Sequence, residues 1–154
     1  MNPELDRLAK EVELNAPGNE RLRLEFGYGC IARVRHLLEE AAVVNCLDGL
    51  GAYLDGGIDR PQFDVLATEA AQLANRHQGS KSIDGCGHAA VSASYAVAKA
   101  LAGKAREAAD YAAYATVYAQ GGSAAVADLD SFQAEHAWQA QQLATIARQH
   151  ASHV

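Results

Sequence analysis

The sequence predicts an all-α fold, a single-domain antiparallel bundle of six or seven helices that spans residues 1–154. The strongest observation is an alanine-rich stretch, in which 14 of the 33 residues from His88 to Gln120 are alanine. Two alanine series fall at offsets of 4, 7 and 11, which places each series on one helical face: Ala89, Ala93, Ala96 and Ala100, then Ala108, Ala112, Ala115 and Ala119. The two small-residue faces meet at Gly103, which predicts a hairpin of closely packed helices. Turn signals also recur along the whole chain, and no second composition regime appears.

The first segment, residues 1–18, is predicted to be an N-terminal helix followed by a linker. Asn2 can cap the helix, Pro3 suits its first turn, and Glu4 complements the positive end of the helix dipole. Residues 21–26 alternate polar and apolar side chains, which is a strand signal. We nevertheless predict a helix there, because no partner strand is visible and helical spacing continues from Cys30 to Ala41.

Residues 19–79 are predicted to form the acidic helices of the bundle. Apolar residues from Val43 to Leu54 keep helical spacing and end at a glycine pair, and Asp59 opens the next helix, whose stripe runs from Phe63 to His77. The alanine-rich hairpin occupies residues 80–122. Residues 123–154 form a long closing helix with a buried face that begins at Leu129, and Asp128 or Ser131 can cap a break within it. We expect the hairpin to pack against this closing helix.

Composition and charge exclude several classes of protein. The formal net charge is −6, which disfavours nucleic acid as a partner, since such a partner requires a basic surface. No apolar run approaches the length of a membrane span, and the acidic N-terminus does not resemble a secretory signal. The three cysteines, Cys30, Cys46 and Cys86, are odd in number and widely spaced, which favours reduced thiols in the cytoplasm. We therefore expect a cytoplasmic protein that contacts no membrane.

The densest group of reactive residue types consists of Asp84, Cys86 and His88. A carboxylate, a thiol and an imidazole could bind zinc or form a nucleophile–base pair. However, they supply at most part of a zinc site, and residues two apart on a helix point away from each other. Motifs for metalloproteases, phosphate loops and serine hydrolases are absent. We therefore predict no catalytic residue, no metal and no cofactor, with His88 structural, and keep a small helical metal-binding protein or enzyme as the alternative.

A tyrosine stripe runs along the second helix of the hairpin, at Tyr111, Tyr114 and Tyr118. Such a stripe could stack on bases or on another planar ligand. Aromatic residues at helical spacing are more often core, and no basic residues interleave with these three as a nucleic-acid platform requires. We predict that they belong to the core, with their hydroxyl groups at its periphery.

The charge layout points to a protein partner. Between residues 39 and 69 the only base is Arg60, whereas seven acids occur, and they are the predicted partner-binding residues: Glu39, Glu40, Asp48, Asp55, Asp59, Asp64 and Glu69. An acidic surface can steer a basic partner and accelerate its association. Among the seven, we expect Asp48, Asp55 and Asp59 to contribute most.

Several motifs together resemble a known family. They are the aromatic–cysteine segment from Phe26 to Cys30, the GHAA entry to the alanine hairpin at His88, and the ExxWQ motif formed by Glu135, Trp138 and Gln139. This pattern resembles the helical immunity proteins encoded beside toxins in bacterial polymorphic toxin systems. The resemblance covers about half of the chain, and residues 43–81 follow it only loosely. It implies a cytoplasmic, non-enzymatic protein that binds and neutralises a cognate toxin, in which Cys30, His88, Glu135, Trp138 and Gln139 are structural.

One further alternative concerns the alanine-rich hairpin. Small-residue faces can pack against a second copy of the same chain, so a self-associating helical scaffold is also considered. The expected oligomeric state is a monomer or a weak homodimer.

Overall fold

The computed structural model describes residues 1–76 and 86–152, the first two residues after the gap by backbone alone, and all its regular elements are helical. The predicted all-α bundle is confirmed. The helices are α1 (Pro3–Glu11), α2 (Glu20–Ala32), α3 (Ala41–Leu54), α4 (Arg60–Arg76), α5 (Cys86–Leu101), α6 (Ala105–Ala127) and α7 (Gln133–Ala151). Short 3-10 turns lie at Pro17–Asn19, Arg35–Leu37 and Leu129–Phe132. The predicted end of the α4 stripe at His77 lies outside the described residues.

Helix α1 begins as the sequence predicts. The Asn2 side chain accepts a hydrogen bond from the Leu5 backbone N–H at 3.2 Å, and the first turn carries two carboxylates. The sequence predicts that the helix stops near Asn15. It ends earlier, at Glu11, because the backbone reverses at Glu13, whose φ is +54°. This reversal buries Leu14 completely. The N-terminal segment is thereby anchored to the core at both ends.

The predicted continuation of a helix from Cys30 to Ala41 is wrong. Helix α2 ends at Ala32, a 3-10 turn follows, and Leu38 is extended before α3 begins. The break turns α3 back toward α2, so that Val43 and Leu50 are buried in the same core as Cys30. A continuous helix would have carried these apolar residues away from the bundle.

Helices α3 and α4 form an antiparallel pair joined by the predicted glycine-containing turn. Asp59 caps α4: its carboxylate accepts from the Gln62 N–H, and the Gln62 side chain accepts from the Asp59 N–H, each at 2.9 Å. This reciprocal arrangement is a capping box. Tyr53 of α3 stacks on Phe63 of α4 with ring centroids 4.5 Å apart. The aromatic stack and the cap together fix how α4 leaves the turn.

Helices α5 and α6 form the predicted alanine-rich hairpin. Gly103 ends α5 with a φ of +77°, a conformation that glycine adopts without steric cost. The alanine faces are buried within the chain except at Ala119, which is exposed. Helix α5 packs closely on α2: a methyl group added at Gly27 would lie 3.2 Å from the Ala100 Cβ. The hairpin contacts the closing segment as expected, through Gln139 to Ala109 and through the 3-10 turn at Leu129–Phe132. However, it packs mainly on α2 and α4. Helix α7 packs mainly on α1 and α2.

The closing segment differs from the single long helix that the sequence predicts. Helix α6 continues past a kink at Gly122, whose φ and ψ are 66° and −154°, and ends at Ala127. The predicted cap at Asp128 is present, because its carboxylate accepts from the Asp130 N–H at 3.0 Å. The predicted burial of Leu129 is wrong: the 3-10 turn leaves this side chain 70% exposed and buries Phe132 instead. Helix α7 therefore begins directly after the buried side chain of Phe132.

Candidate functional site

The residues of the ExxWQ motif connect α7 to the rest of the bundle. The Arg33 guanidinium, at the end of α2, donates to both carboxylate oxygens of Glu135 at 2.7 and 2.8 Å. It also lies over the Trp138 ring, 3.9 Å from the ring centroid. The Glu135 side chain is 7% exposed, and its hydrogen bonds to Arg33 raise the pKa of that guanidinium. Trp138 is half-buried beneath this ion pair. The sequence analysis did not identify Arg33 as the partner of Glu135, because Arg33 lies outside the motif.

Two other motif residues are buried in structural positions. The fully buried Gln139 side chain donates to the Ala109 carbonyl at 2.8 Å and so connects α7 to α6. Cys30 is fully buried in the main core, and burial strongly raises the pKa of its thiol. A thiol held in its neutral form is a poor nucleophile. Both side chains are therefore enclosed by the bundle, and the structural roles that the resemblance implies for them stay a prediction.

His88, for which a structural role is predicted, lies at the start of the alanine-rich hairpin. It is exposed in the first turns of α5, and its ring contacts Tyr118 of α6 with centroids 5.1 Å apart. Asp84 lies outside the described residues, as does the Cys86 side chain, so their proximity to His88 stays a prediction. Elsewhere in the described part of the chain, no three histidine, cysteine, aspartate or glutamate side chains are placed to hold a metal ion.

Tyr111 and Tyr114 line a cavity. The predicted core position is wrong for Tyr111, whereas Tyr114 packs against the small buried cluster of Ala113, Val117 and Phe132. Tyr111 is 36% exposed and Tyr114 is half-buried. The cavity has a volume of about 640 Å³, lies between α5, α6 and the start of α7, and is called the aromatic cavity below. Five of its lining residues carry aromatic rings, namely His88, Tyr111, Tyr114, Phe132 and His136, and the others are Met1, Val91, Ser92 and Asp110.

Ring stacking holds the walls of the aromatic cavity in place. Tyr111 stacks on Tyr95 at 5.4 Å, Tyr114 stacks on Tyr118 at 5.8 Å, and Phe132 contacts His136 at 5.4 Å. The backbone near His136 is fixed as well, since the Asn2 side chain donates to its carbonyl at 3.1 Å. Each of these four lining rings therefore contacts another aromatic ring.

An ion-pair triad borders the same cavity. Arg106, only 18% exposed, donates to Asp6 at 2.6 Å and to Asp110 at 2.7 Å. The hydrogen bond from Arg106 lowers the pKa of Asp6. Burial lowers the pKa of His136, so its imidazole is neutral at pH 7. The cavity wall thus combines aromatic rings with the half-exposed carboxylate of Asp110.

The predicted partner-binding acids lie outside this cavity, on α3, α4 and their connection. Asp48, Asp55, Asp59 and Asp64 are exposed and Glu69 is half-buried; these five residues are called the acidic face below. Glu39 is exposed and Glu40 is half-buried just before α3. Arginines neutralise part of the charge: Arg35 donates to Asp48 at 3.0 and 3.2 Å, and Arg60 donates to Asp64 at 2.9 Å. The surface is less acidic than the sequence alone suggests.

Asp59 has a structural role in addition to its charge. Because it caps α4, its removal would weaken that helix whether or not a partner binds.

None of the described helices is both long and apolar enough to cross a lipid bilayer. Comparisons with protein-family models, with curated proteins and with solved structures return no match for this chain.

Proposed function

We propose that this chain is a non-catalytic binding protein that neutralises one cognate toxin domain in the bacterial cytoplasm through its acidic face. The class of partner comes from the resemblance in the sequence motifs, and the surface comes from the positions of the acidic side chains. One observation carries the proposal: the predicted acids on α3, α4 and their connection are mostly exposed, and two of them, Asp64 and Glu69, line a surface groove with the exposed apolar residue Val65.

Val65 makes the acidic face more suitable for a protein than for ions alone. It is 66% exposed on α4 and lines a shallow surface groove with Asp64, Thr68, Glu69 and Gln72. Stable interfaces combine an apolar centre with a polar rim, and complementary charge contributes mainly to specificity and association rate. A toxin whose active-site cleft is basic would gain both kinds of contact from this surface.

The test of the partner class is co-expression with the product of the neighbouring open reading frame. The expected result is that this product arrests growth alone and is harmless in the presence of this chain, with which it co-purifies one to one. A neighbouring product that is harmless by itself, or equally toxic with this chain present, would contradict the proposed function.

The test of the surface is charge reversal at Asp55 and Glu69, which avoids the cap residue Asp59 and the arginine-paired Asp48 and Asp64. The double variant Asp55→Lys, Glu69→Lys should slow association by about tenfold or more and weaken its salt dependence. The matched control is Glu4→Lys, Glu11→Lys on α1, which makes the same charge change on a helix that packs against α7. Equal slowing in both double variants would mean that net charge, and not the acidic face, steers the partner.

A further inference from the structure

We propose that the aromatic cavity is a binding site for a small organic cation, an aromatic ring that carries a protonated amine. The site is separate from the acidic face, since it lies on α5, α6 and α7 and shares none of its residues. It therefore adds a ligand to the protein and does not depend on the toxin proposal.

The size and lining of the cavity suit a small organic ligand. Its volume of about 640 Å³ lies within the usual ~300–1,000 Å³ of small-molecule sites, which are mostly apolar with a few polar groups. Tyr111 and Tyr114 come from one helix, whereas Phe132 and His136 come from the segment that crosses it. Rings on two sides of a cavity can hold a flat ring between them by stacking.

The charge of the ligand follows from the wall that it would meet. The π faces of tyrosine and phenylalanine attract cations, and Asp110 is the carboxylate that lines the cavity. Arg106 is shared between Asp6 and Asp110, so these two carboxylates have a single guanidinium between them. Asp110 is 47% exposed, and its carboxylate accepts from Arg106 through Oδ1. An ammonium group placed near Oδ2 would meet a carboxylate on one side and rings on the others.

One cation already present in this region must be considered. Met1 lines the cavity, and its α-amino group lowers the pKa of both Asp6 and His136, in each case as a secondary cause. It should repel a bound amine. Acetylation of this α-amino group should therefore strengthen amine binding, which gives a test with a defined sign.

The primary experiment uses three indoles that differ in one group: tryptamine, its neutral alcohol tryptophol, and indole-3-acetate. Isothermal titration calorimetry should show one molecule of tryptamine per chain, with a Kd about tenfold or more below that of tryptophol, and no binding of the acid. Similar binding of all three compounds, or no binding of tryptamine at millimolar concentration, would overturn the proposal.

Variants place the binding in the cavity. Asp110→Asn should abolish the preference for the amine over the alcohol, whereas Asp48→Asn, which also removes an arginine-paired exposed carboxylate, should leave it unchanged. Tyr114→Leu should weaken both compounds several-fold, whereas Tyr53→Leu, which removes a stacked ring between α3 and α4, should not. Circular dichroism verifies that each variant is folded, and Tyr111→Leu replaces Tyr114→Leu if that variant unfolds. Amine binding that survives all the cavity variants would place the site elsewhere and overturn the proposal.

Discussion

At the scale of single residues, the bundle depends on a few polar side chains that connect helices far apart in sequence. Arg33 joins α2 to α7 through Glu135 and Trp138, Arg106 joins α1 to α6 through Asp6, and Gln139 joins α7 to α6. Glu135 is the critical member, because its carboxylate is nearly buried and a buried charge is costly without its partner.

The first prediction concerns this ion pair. Arg33→Met should lower the free energy of unfolding by about 1–3 kcal/mol, because it leaves the Glu135 carboxylate buried without its donors and removes the cation above Trp138. Urea unfolding followed by tryptophan fluorescence measures the loss. The matched control is Arg35→Met, which breaks an exposed ion pair with Asp48 and should cost much less, because solvent screens that pair. Equal losses would mean that Glu135 is solvated and that its pair with Arg33 contributes no more than a surface pair.

The second prediction concerns the pH dependence of stability near His136. Burial lowers the pKa of this imidazole below its ordinary value of 6.5, so below about pH 6.5 the unfolded chain binds a proton that the folded chain does not. The free energy of unfolding should therefore fall as the pH drops from 7 to 5. His136→Phe, which keeps a ring against Phe132, should flatten this slope, whereas Phe132→Leu, which disturbs the same ring contact but removes no imidazole, should not. An unchanged slope in His136→Phe would contradict the assignment.

At the scale of elements, small side chains determine which helices come close together. The alanine faces of α5 and α6 and the absence of a side chain at Gly27 allow α5 to pack closely on both α6 and α2. Ala93 and Ala112 are fully buried, so the predicted small faces do lie at interfaces. Most of these alanines are therefore covered by the chain's own helices, whereas Ala119, at the far end of the α6 series, is exposed.

The third prediction follows from this close packing. Ala93→Leu and Ala112→Leu should each cost about 1–3 kcal/mol, because the added atoms have no space without displacement of a neighbouring helix. The change in melting temperature measures the cost. Ala71→Leu is the control, since Ala71 is exposed on α4 and a leucine there should have little effect. Unchanged melting temperatures for both buried variants would show that the hairpin faces are not packed as described.

At the scale of the whole molecule, one main core joins the described helices from α1 to α7. Buried residues from every helix belong to it, and a small satellite cluster around Ala113, Val117 and Phe132 lies beneath the aromatic cavity. The aromatic cavity and the acidic face lie on different helices of this one core. The two proposed binding sites can therefore be altered separately.

The fourth prediction is that the protein unfolds in a single cooperative transition. Because the helices share one core, helix content measured by far-ultraviolet circular dichroism and tertiary packing measured by Trp138 fluorescence should give the same midpoint in urea. Asp110→Asn and Asp55→Lys should each shift both midpoints together. A separate early transition in either signal would show that part of the bundle, such as the satellite cluster, unfolds independently.

Most of the fold was predictable from sequence because its signals are local. The cap at Asn2, the glycine turn after α3, the start of α4 at Asp59 and the hairpin turn at Gly103 each depend on a few neighbouring residues. The failures concern contacts between distant residues. Helical spacing continues past Ala32, but the helix does not, because burial of α3 against α2 outweighs the local preference. Leu129 is apolar yet exposed, because the turn that holds it buries Phe132.

The candidate sites divide in the same way. The acids of the acidic face all lie within residues 48–69, so the sequence alone predicts an acidic surface on α3 and α4. The Arg60–Asp64 pair is also local, four residues apart, whereas the Arg35–Asp48 pair depends on the fold. The aromatic cavity combines Met1, α5, α6 and the residues around Phe132. The tyrosine spacing predicts that three rings share one side of a helix, but it does not predict what lies opposite them.

Local signals in the sequence establish that this protein is an all-α bundle, where α1 and α4 begin and α5 ends, and which helix faces carry alanine, tyrosine or acid. These properties depend on capping, glycine conformation and helical periodicity, which act over at most a few turns of backbone. The tertiary structure was needed to show that the hairpin packs mainly on α2 and α4, that Arg33 pairs with Glu135, and that Tyr111 and Tyr114 line a cavity. These outcomes depend on which arrangement of all the helices buries the most apolar surface while it leaves each buried charge with a partner.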